Sequence, residues 1–432
     1  MFNKILITKN VLVWLLCSLF AFTAQVVLAD GSSPGRAVIA WISVDGVRPD
    51  YIDRVSTPFF DKIKREGAFS HELEPVFPSL TFPSHASQAT GVTVDRHGIP
   101  LNSFYDAKRN RSYFYPGFAS LLEAEPIWNT AQRQGLRTVV SDWVMSFYQR
   151  GRHASTYFGK SFDGNLTDKQ RLELLLDVWQ KDRGRRNPYQ LIMGYMIATD
   201  SIGHEYGPDS GEVDAAMVQV DAELSWFAEE AVRIFTNRMN PSDALYLIIT
   251  TDHGMSAVHS VAHPAYLAGL KSEDEKIVHV IAGGNIAHYF FNKIKDDDEL
   301  EHYRNLIMKE LKSRDFLQAY ERDDLPERWG YSHPSRVGDI VAVLNTGYAF
   351  SRRASKAVVP VEETGGPLGM HGYDPADDPN MLGIMYVWRY PEPLGGVDLG
   401  RVHSLQLHAT VAGLLGINPA LDARTDPVVF NP

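Results

Sequence analysis

Five short stretches of this chain carry side chains that can do chemistry together. Val44-Asp45-Gly46, Asp200-Ser201-Ile202-Gly203-His204, Thr251-Asp252-His253-Gly254 and Gly369-Met370-His371-Gly372 supply carboxylates and imidazoles. Phe77-Pro78-Ser79-Leu80-Thr81-Phe82-Pro83-Ser84-His85 supplies a hydroxyl, Thr81, in a proline-restricted turn. Asp45, Asp200 and Asp252-His253 each directly follow an apolar run that reads as a strand. Residues at the carboxyl ends of successive parallel strands gather along one edge of a sheet, where open α/β proteins bind their ligands. His204 follows Asp200 by four residues, so one tight turn can aim both at one ion, and glycines flank His371 in a loop. Oxygen and imidazole donors without cysteine suit zinc in a catalytic site, and manganese or iron would also fit.

Thr81 is the candidate nucleophile. Residues 86–91 read as a short helix ended by Gly91, so the hydroxyl faces a helix N-terminus. Backbone N–H groups and the positive end of the helix dipole favour a phosphate there, which suits attack on phosphorus. Each feature also has a plainer explanation. A Thr-x-Pro is by itself a structural turn, an aspartate after a strand is often a helix N-cap, and a single histidine is usually a surface residue. It is their joint occurrence after successive strands that points to a site. His85, His97, His259 and His263 are left to structural or supporting roles.

The elements that must position these residues are legible in the apolar pattern. Residues 37–44 form a near-continuous apolar run, the mark of a strand buried on both faces. Further strands are predicted at 137–142, 189–199 and 244–251, and helices at 57–67, 126–135, 167–183 and 211–238. The last has Val213, Met217, Val220, Leu224, Phe227 and Val232 as its buried stripe. Strand then helix recurs, which predicts an α/β fold with a doubly wound, mostly parallel sheet and helices on both faces. The rhythm changes at about 256–363, where an apolar stretch at 277–291, a charged helix at 298–314 and a strand at 339–344 suggest an inserted α+β cap segment. Core-like sequence resumes at 381–388, and a helix at 404–415 closes the chain.

With 432 residues, 44% of them hydrophobic, the chain can bury a large core. Residues 1–29 read as a secretory signal peptide. Lys4 and Lys9 precede an apolar run from Val11 to Phe22, and Val27-Leu28-Ala29 precede Asp30. An uncleaved anchor is the rival, but the run is shorter than the ~20 residues a spanning helix needs. The expected mature protein, 30–432, is exported to the periplasm or secreted, with no stable membrane insertion. Its only cysteine, Cys17, departs with the signal, which excludes a cysteine nucleophile or a thiolate metal site. The formal charge is −11. Without Lys4 and Lys9 the balance is 40 basic against 53 acidic residues, or −13, which disfavours polymeric nucleic acid as a partner.

Taken with Val47-Arg48 and Met255, these motifs, in this order, resemble those of the nucleotide pyrophosphatase/phosphodiesterase family of the alkaline phosphatase superfamily. The resemblance spans nearly all of the expected mature chain. It implies two zinc ions, one held by Asp45, Thr81, Asp252 and His253, the other by Asp200, His204 and His371. It further implies attack by Thr81 on a small nucleotide phosphodiester or pyrophosphate, through a covalent phosphothreonine. Phe82 is placed to stack on a base or to fill the core. The family commonly has asparagine where this chain has Ser84, and that asparagine helps to hold a phosphoryl oxygen; a serine hydroxyl has a shorter reach. Two alternatives stay open: a phosphonate or phosphomonoester hydrolase on the same scaffold, for which Arg48 is the candidate extra cation, and an exported metal-dependent binding protein without turnover. Oligomeric state is not encoded in these motifs.

Overall fold

The apolar run Ala37–Val44 is a strand, and its side chains divide between two hydrophobic layers. Val38, Ala40, Ile42 and Val44 join one layer, Ile39 and Trp41 the other. Alternation with burial on both sides places this strand inside a sheet covered on both faces. It pairs in parallel with Tyr189–Met196 on one side and Ala244–Thr250 on the other. A computed structural model describes residues 35–430 apart from Arg185 and Met239. The expected signal peptide, 1–29, with Cys17, lies outside the described residues.

The sheet has nine strands. Beyond Tyr189–Met196 come Arg137–Val140 and then Tyr157–Phe158, both parallel to their neighbours. Beyond Ala244–Thr250 comes Gly383–Tyr390, antiparallel both to it and to Ala68–Glu74. Val397–Asp398 and Arg401–His403 complete that side, parallel to Ala68–Glu74. The fold is therefore the expected α/β arrangement, mostly parallel, with one antiparallel strand set inside it.

Helices Pro58–Glu66, Asp168–Gln180 and Gly211–Thr236 cover one face, and Thr81–Thr90, Ile127–Arg133 and Gln406–Leu414 the other. The long helix starts where Ser210 accepts a hydrogen bond from the Val213 N–H, an ordinary N-cap. Val213, Met217, Val220, Leu224 and Phe227 are buried as predicted. Val232 is only partly buried, and Ala231, Ile234 and Phe235 take the core positions of the last turns.

Within 256–363 lies a second, four-stranded antiparallel sheet, in the order His279–Gly283, Ile286–Phe290, Ile340–Leu344, Leu317–Glu321. The helix Asp297–Lys312 packs on it through Ile307 and Leu311, in a core separate from the two layers of the main sheet. The apolar stretch 277–291 is thus a hairpin, with the backbone turning at Gly284, φ 60°.

Candidate active site

Asp200 and His204 share a helix, Ala198–Tyr206, and not the tight turn expected from the sequence. On a helix, residues four apart lie one above the other, so both side chains point the same way. Asp200 Oδ1 and His204 Nε2 are 3.4 Å apart. His371 reaches them because its loop is pinned to this helix. The Leu368 N–H donates to His204 O, and Gly369–Met370 pairs with Ser256–Ala257. A Cβ on Gly369 would stand 2.4 Å from the Gly203 carbonyl, so only glycine permits this approach. His371 Nε2 then lies 3.3 Å from His204 Nε2 and 3.5 Å from Asp200 Oδ1.

A second group lies deeper, at the carboxyl ends of two adjacent strands. Asp45 follows Ala37–Val44 directly, and Asp252-His253 follow Ala244–Thr250 by one residue. His253 Nε2 is 3.1 Å from Asp252 Oδ2, 3.4 Å from Asp45 Oδ1 and 3.3 Å from Thr81 Oγ1. Gly46, at φ 67°, keeps the two groups close, since a Cβ there would sit 2.9 Å from Asp200 Cβ. The rings of His253 and His371 stack with centroids 3.5 Å apart, so the groups adjoin. His253 also lies within 4.8 Å of the Asp200 and His371 donor atoms. His253 is thus common to both groups of donor atoms.

The remaining hydrogen bonds show which atoms are free to bind an ion. The Nδ1 atoms of His204, His253 and His371 face the carbonyls of Gly369, Gly254 and Ser79 at 2.7, 2.9 and 2.9 Å. A carbonyl can only accept, so each Nδ1 carries the proton and each Nε2 presents a lone pair. The Tyr195 hydroxyl donates to Asp45 Oδ2, and the Gly46 N–H to Asp252 Oδ1 at 3.2 Å. That leaves Asp45 Oδ1, Asp252 Oδ2 and Asp200 Oδ1 buried without hydrogen-bond partners. Lone pairs converging at 3.1–3.5 Å repel unless a cation lies among them. The donor set fits metal ions of the kind that bind nitrogen and oxygen.

Electrostatics agree with this. Burial, then the charges of Asp200 and Asp252, hold the Asp45 carboxyl well above the usual range. Burial, with His253 and His204 beside it, holds His371 well below its ordinary value. Burial works against the charge on Asp252 too, but His253 and His85 overcome it and keep its carboxyl below the usual range. Positive charge would relieve the crowding of carboxylates that raises Asp45, and the lowered His371 stays neutral, with its Nε2 lone pair available.

Thr81 is the first residue of the helix Thr81–Thr90, whereas the sequence places it in the turn ahead. Pro83 falls within the first helical turn, where the missing N–H costs nothing. His85 is buried beneath, bonded to Thr81 O at 2.8 Å and to Ser43 Oγ at 2.9 Å, so it props the helix start against the central strand. His97 is buried against Ser87, His259 contacts Ser260, and His263 caps a short helix; none of these three is among the donor residues. A cavity of about 610 Å³ opens over the site, lined by Asp45, Thr81, Asp200, His204 and His371 and walled by aromatic rings. Phe82 is on this wall, edge-on to Tyr115 with centroids 5.8 Å apart.

Ser84 behaves differently from the expectation that it contacts substrate. It is fully buried, its hydroxyl has no partner, and it does not line the cavity. The helix that begins at Thr81 carries it onto a buried face. Asn102, which no motif flagged, stands at the cavity instead, with Oδ1 accepting the Phe82 N–H at 2.9 Å. Arg48 is also displaced from its suggested role. It is paired with Asp50 at 2.5 Å and Asp209 at 2.6 Å and does not line the cavity.

Comparison with known proteins agrees with this geometry. Residues 39–374 match the family described as type I phosphodiesterase/nucleotide pyrophosphatase. The chain belongs to this family, and is an enzyme of phosphoric diester hydrolysis. An uncharacterized pyrophosphatase/phosphodiesterase of Schizosaccharomyces pombe is 27% identical over 84% of this chain and 75% of its own length. A bis(5′-adenosyl)-triphosphatase of Xenopus laevis is 25% identical over 80% of this chain and 71% of its own. Among solved structures, human ectonucleotide pyrophosphatase/phosphodiesterase 5 aligns with TM-score 0.75 and 25% identity, covering 91% of this chain and 97% of that one. An inactive threonine-to-alanine form of the murine protein, in complex with AMP, aligns with TM-score 0.75 and 24% identity over 91% of this chain and 98% of that one.

Proposed function

We propose that this enzyme hydrolyses small nucleotide phosphodiesters or pyrophosphates, with Thr81 as nucleophile and a covalent phosphothreonine as intermediate. The observation that carries the reading is the Thr81 hydroxyl itself, set at a helix start 3.3 Å from His253 Nε2, beside two groups of unpartnered donor atoms. Asp45, Thr81, Asp252 and His253 would hold one metal ion and Asp200, His204 and His371 a second, and zinc suits this donor set. Bound there, such ions supply Lewis acidity, which lowers the proton affinity of a hydroxyl and offsets charge on phosphoryl oxygens.

The protein's own groups do the rest. The Thr81 Oγ–P bond forms as the bond to the leaving oxygen breaks on the far side, and the hydroxyl proton passes to water. Water then attacks the phosphothreonine from the vacated side and restores Thr81. Asn102 has its Oδ1 engaged, so its NH₂ is the donor offered to a phosphoryl oxygen. Phe82 and its neighbours offer π-faces to a base, in keeping with the AMP bound by the murine relative and the dinucleotide named for the frog one. Among the described residues no lysine or arginine lines this cavity, which favours a singly charged diester over a doubly charged monoester. Residues 1–29 are the proposed export signal and 30–432 the catalytic domain, with 256–363 inserted in it.

A nitrophenyl ester of thymidine 5′-monophosphate compared with plain nitrophenyl phosphate tests the reading. A kcat/KM ratio of about a hundred or more in favour of the diester is expected. A preference for the monoester would contradict it.

A further inference from the structure

A second cavity, of about 540 Å³, adjoins the first, and the two share Asn102, Phe114, Tyr115, His204 and His371. Its remaining wall comes largely from the second sheet, through the strand His279–Gly283 with Gly284, and Arg352 joins it from a turn outside that sheet. The two cavities differ in charge. Among the described residues, the first is lined by Asp45, Asp142 and Asp200 without any lysine or arginine; the second contains Arg352 and His279 and no carboxylate. In a chain with a formal charge of −11, an acid-free hollow beside a phosphate-ester site calls for an explanation. The cavities also differ in their relation to the nucleophile. Thr81 borders only the first, whereas His204 and His371 border both.

We infer that the second cavity receives the leaving group, and that it is built for an anionic one, a phosphate or pyrophosphate, with Arg352 as the residue that selects it. The inference rests on the proposed Thr81 chemistry. In-line displacement sends the leaving oxygen away from the nucleophile, here past His204 and His371. As the Thr81 Oγ–P bond forms, the P–O bond opposite breaks and its electron pair goes with the departing phosphate oxygen, which leaves as an anion without needing a proton. The nucleoside half, uncharged and aromatic, stays in the first cavity. Arg352 donates to Glu275 Oε2 at 2.7 Å and to Val280 O at 2.9 Å, so its guanidinium is held at the cavity wall. Its side chain is half exposed, and a planar cation so placed can meet a phosphate through two N–H groups. His279, near Ser112 Oγ at 3.4 Å, adds a second polar contact. The inserted segment thereby forms the leaving-group side of the active site.

The test compares two substrates that share a nucleoside monophosphate but differ in what leaves: ATP, which releases pyrophosphate, and the nitrophenyl ester of thymidine 5′-monophosphate. For metal-loaded enzyme, the ratio of kcat/KM for ATP to that for the ester is expected to fall about tenfold in Arg352→Gln, mainly through KM, and to recover in part in Arg352→Lys. Glu275→Gln, which releases the guanidinium from its ion pair, is expected to raise the same ratio. A ratio unmoved by both Arg352→Gln and Glu275→Gln, or moved in the same direction by both, overturns the leaving-group assignment while the diester reading stands. Wild-type enzyme that cleaves neither substrate overturns both.

Discussion

In the proposed mechanism the chemistry turns on Thr81. Its hydroxyl is one of seven proposed metal ligands, alongside Asp45, Asp200, His204, Asp252, His253 and His371, and six of them survive its removal. Thr81→Ala is therefore expected to keep most of its metal, measured by elemental analysis of the purified protein, while turnover falls about ten-thousand-fold. Thr81→Ser retains the oxygen and loses only the methyl that restricts its rotamer, so part of the activity is expected to remain. An alanine variant nearly as active as serine would show that water attacks directly.

At the scale of elements, the site depends on how two helices begin. The helix bearing Asp200 and His204 has no cap of its own, since its N-cap residue is Ile197. The cap comes from Asp168, 29 residues upstream of Ile197, whose two oxygens accept the Ile197 and Ala198 N–H groups at 2.8 and 3.0 Å. Asp168→Ala leaves both part-buried donors unpaired, with an expected loss of about 1–3 kcal/mol of stability by urea unfolding. It also frees the start of the helix that aims Asp200 and His204, so weaker zinc binding by competition with a chelator is expected as well. This distant cap explains why the sequence suggested a turn at 200–204: the local signal for a helix start is absent. The Thr81 helix was hidden in the same way, with Leu80 at its N-cap and two prolines that mark a turn just as well. Doubly buried strands such as Ala37–Val44 were legible because their apolar runs are unbroken. Direction was not, as burial looks the same in either sense, so the antiparallel run of Gly383–Tyr390 emerged only from its pairing. Asp45, Asp252 and His253 stood out because they follow doubly buried strands, and His371 because glycines flank it. Asn102 did not, because it lies 20 residues from Phe82, whose N–H it holds, and in no motif.

At the scale of the whole molecule, buried histidines far from the donor groups tie stability to pH. Burial, reinforced by His333 and Arg336, holds His97 down to about 3, and burial with Arg322 nearby does the same to His288. The folded values lie below the ordinary 6.5, so the neutral forms belong to the native state. Their contribution is complete above about pH 6.5 and is lost as pH falls from there towards 3. At pH 5 each costs about 2 kcal/mol relative to pH 7. The urea midpoint is expected to drop between pH 7 and pH 5, with a shallower drop in His97→Gln and His288→Gln; equal midpoints at the two pH values would contradict this. Among the described residues no helix is long and apolar enough to cross a membrane. N-terminal sequencing of the natively expressed protein is expected to begin at or near Asp30, and a membrane-bound product retaining Met1 would favour an anchor.

The most direct test is chemical trapping. Enzyme loaded with zinc is mixed for milliseconds with a nucleotide diester labelled at phosphorus, quenched in acid and digested, and the labelled peptide is sequenced. Label is expected on Thr81, in amounts that rise and decay with turnover, and none in the Thr81→Ala variant. Rapid hydrolysis by the wild type with no protein-bound label at any quench time, together with substantial activity in the alanine variant, would contradict the covalent mechanism.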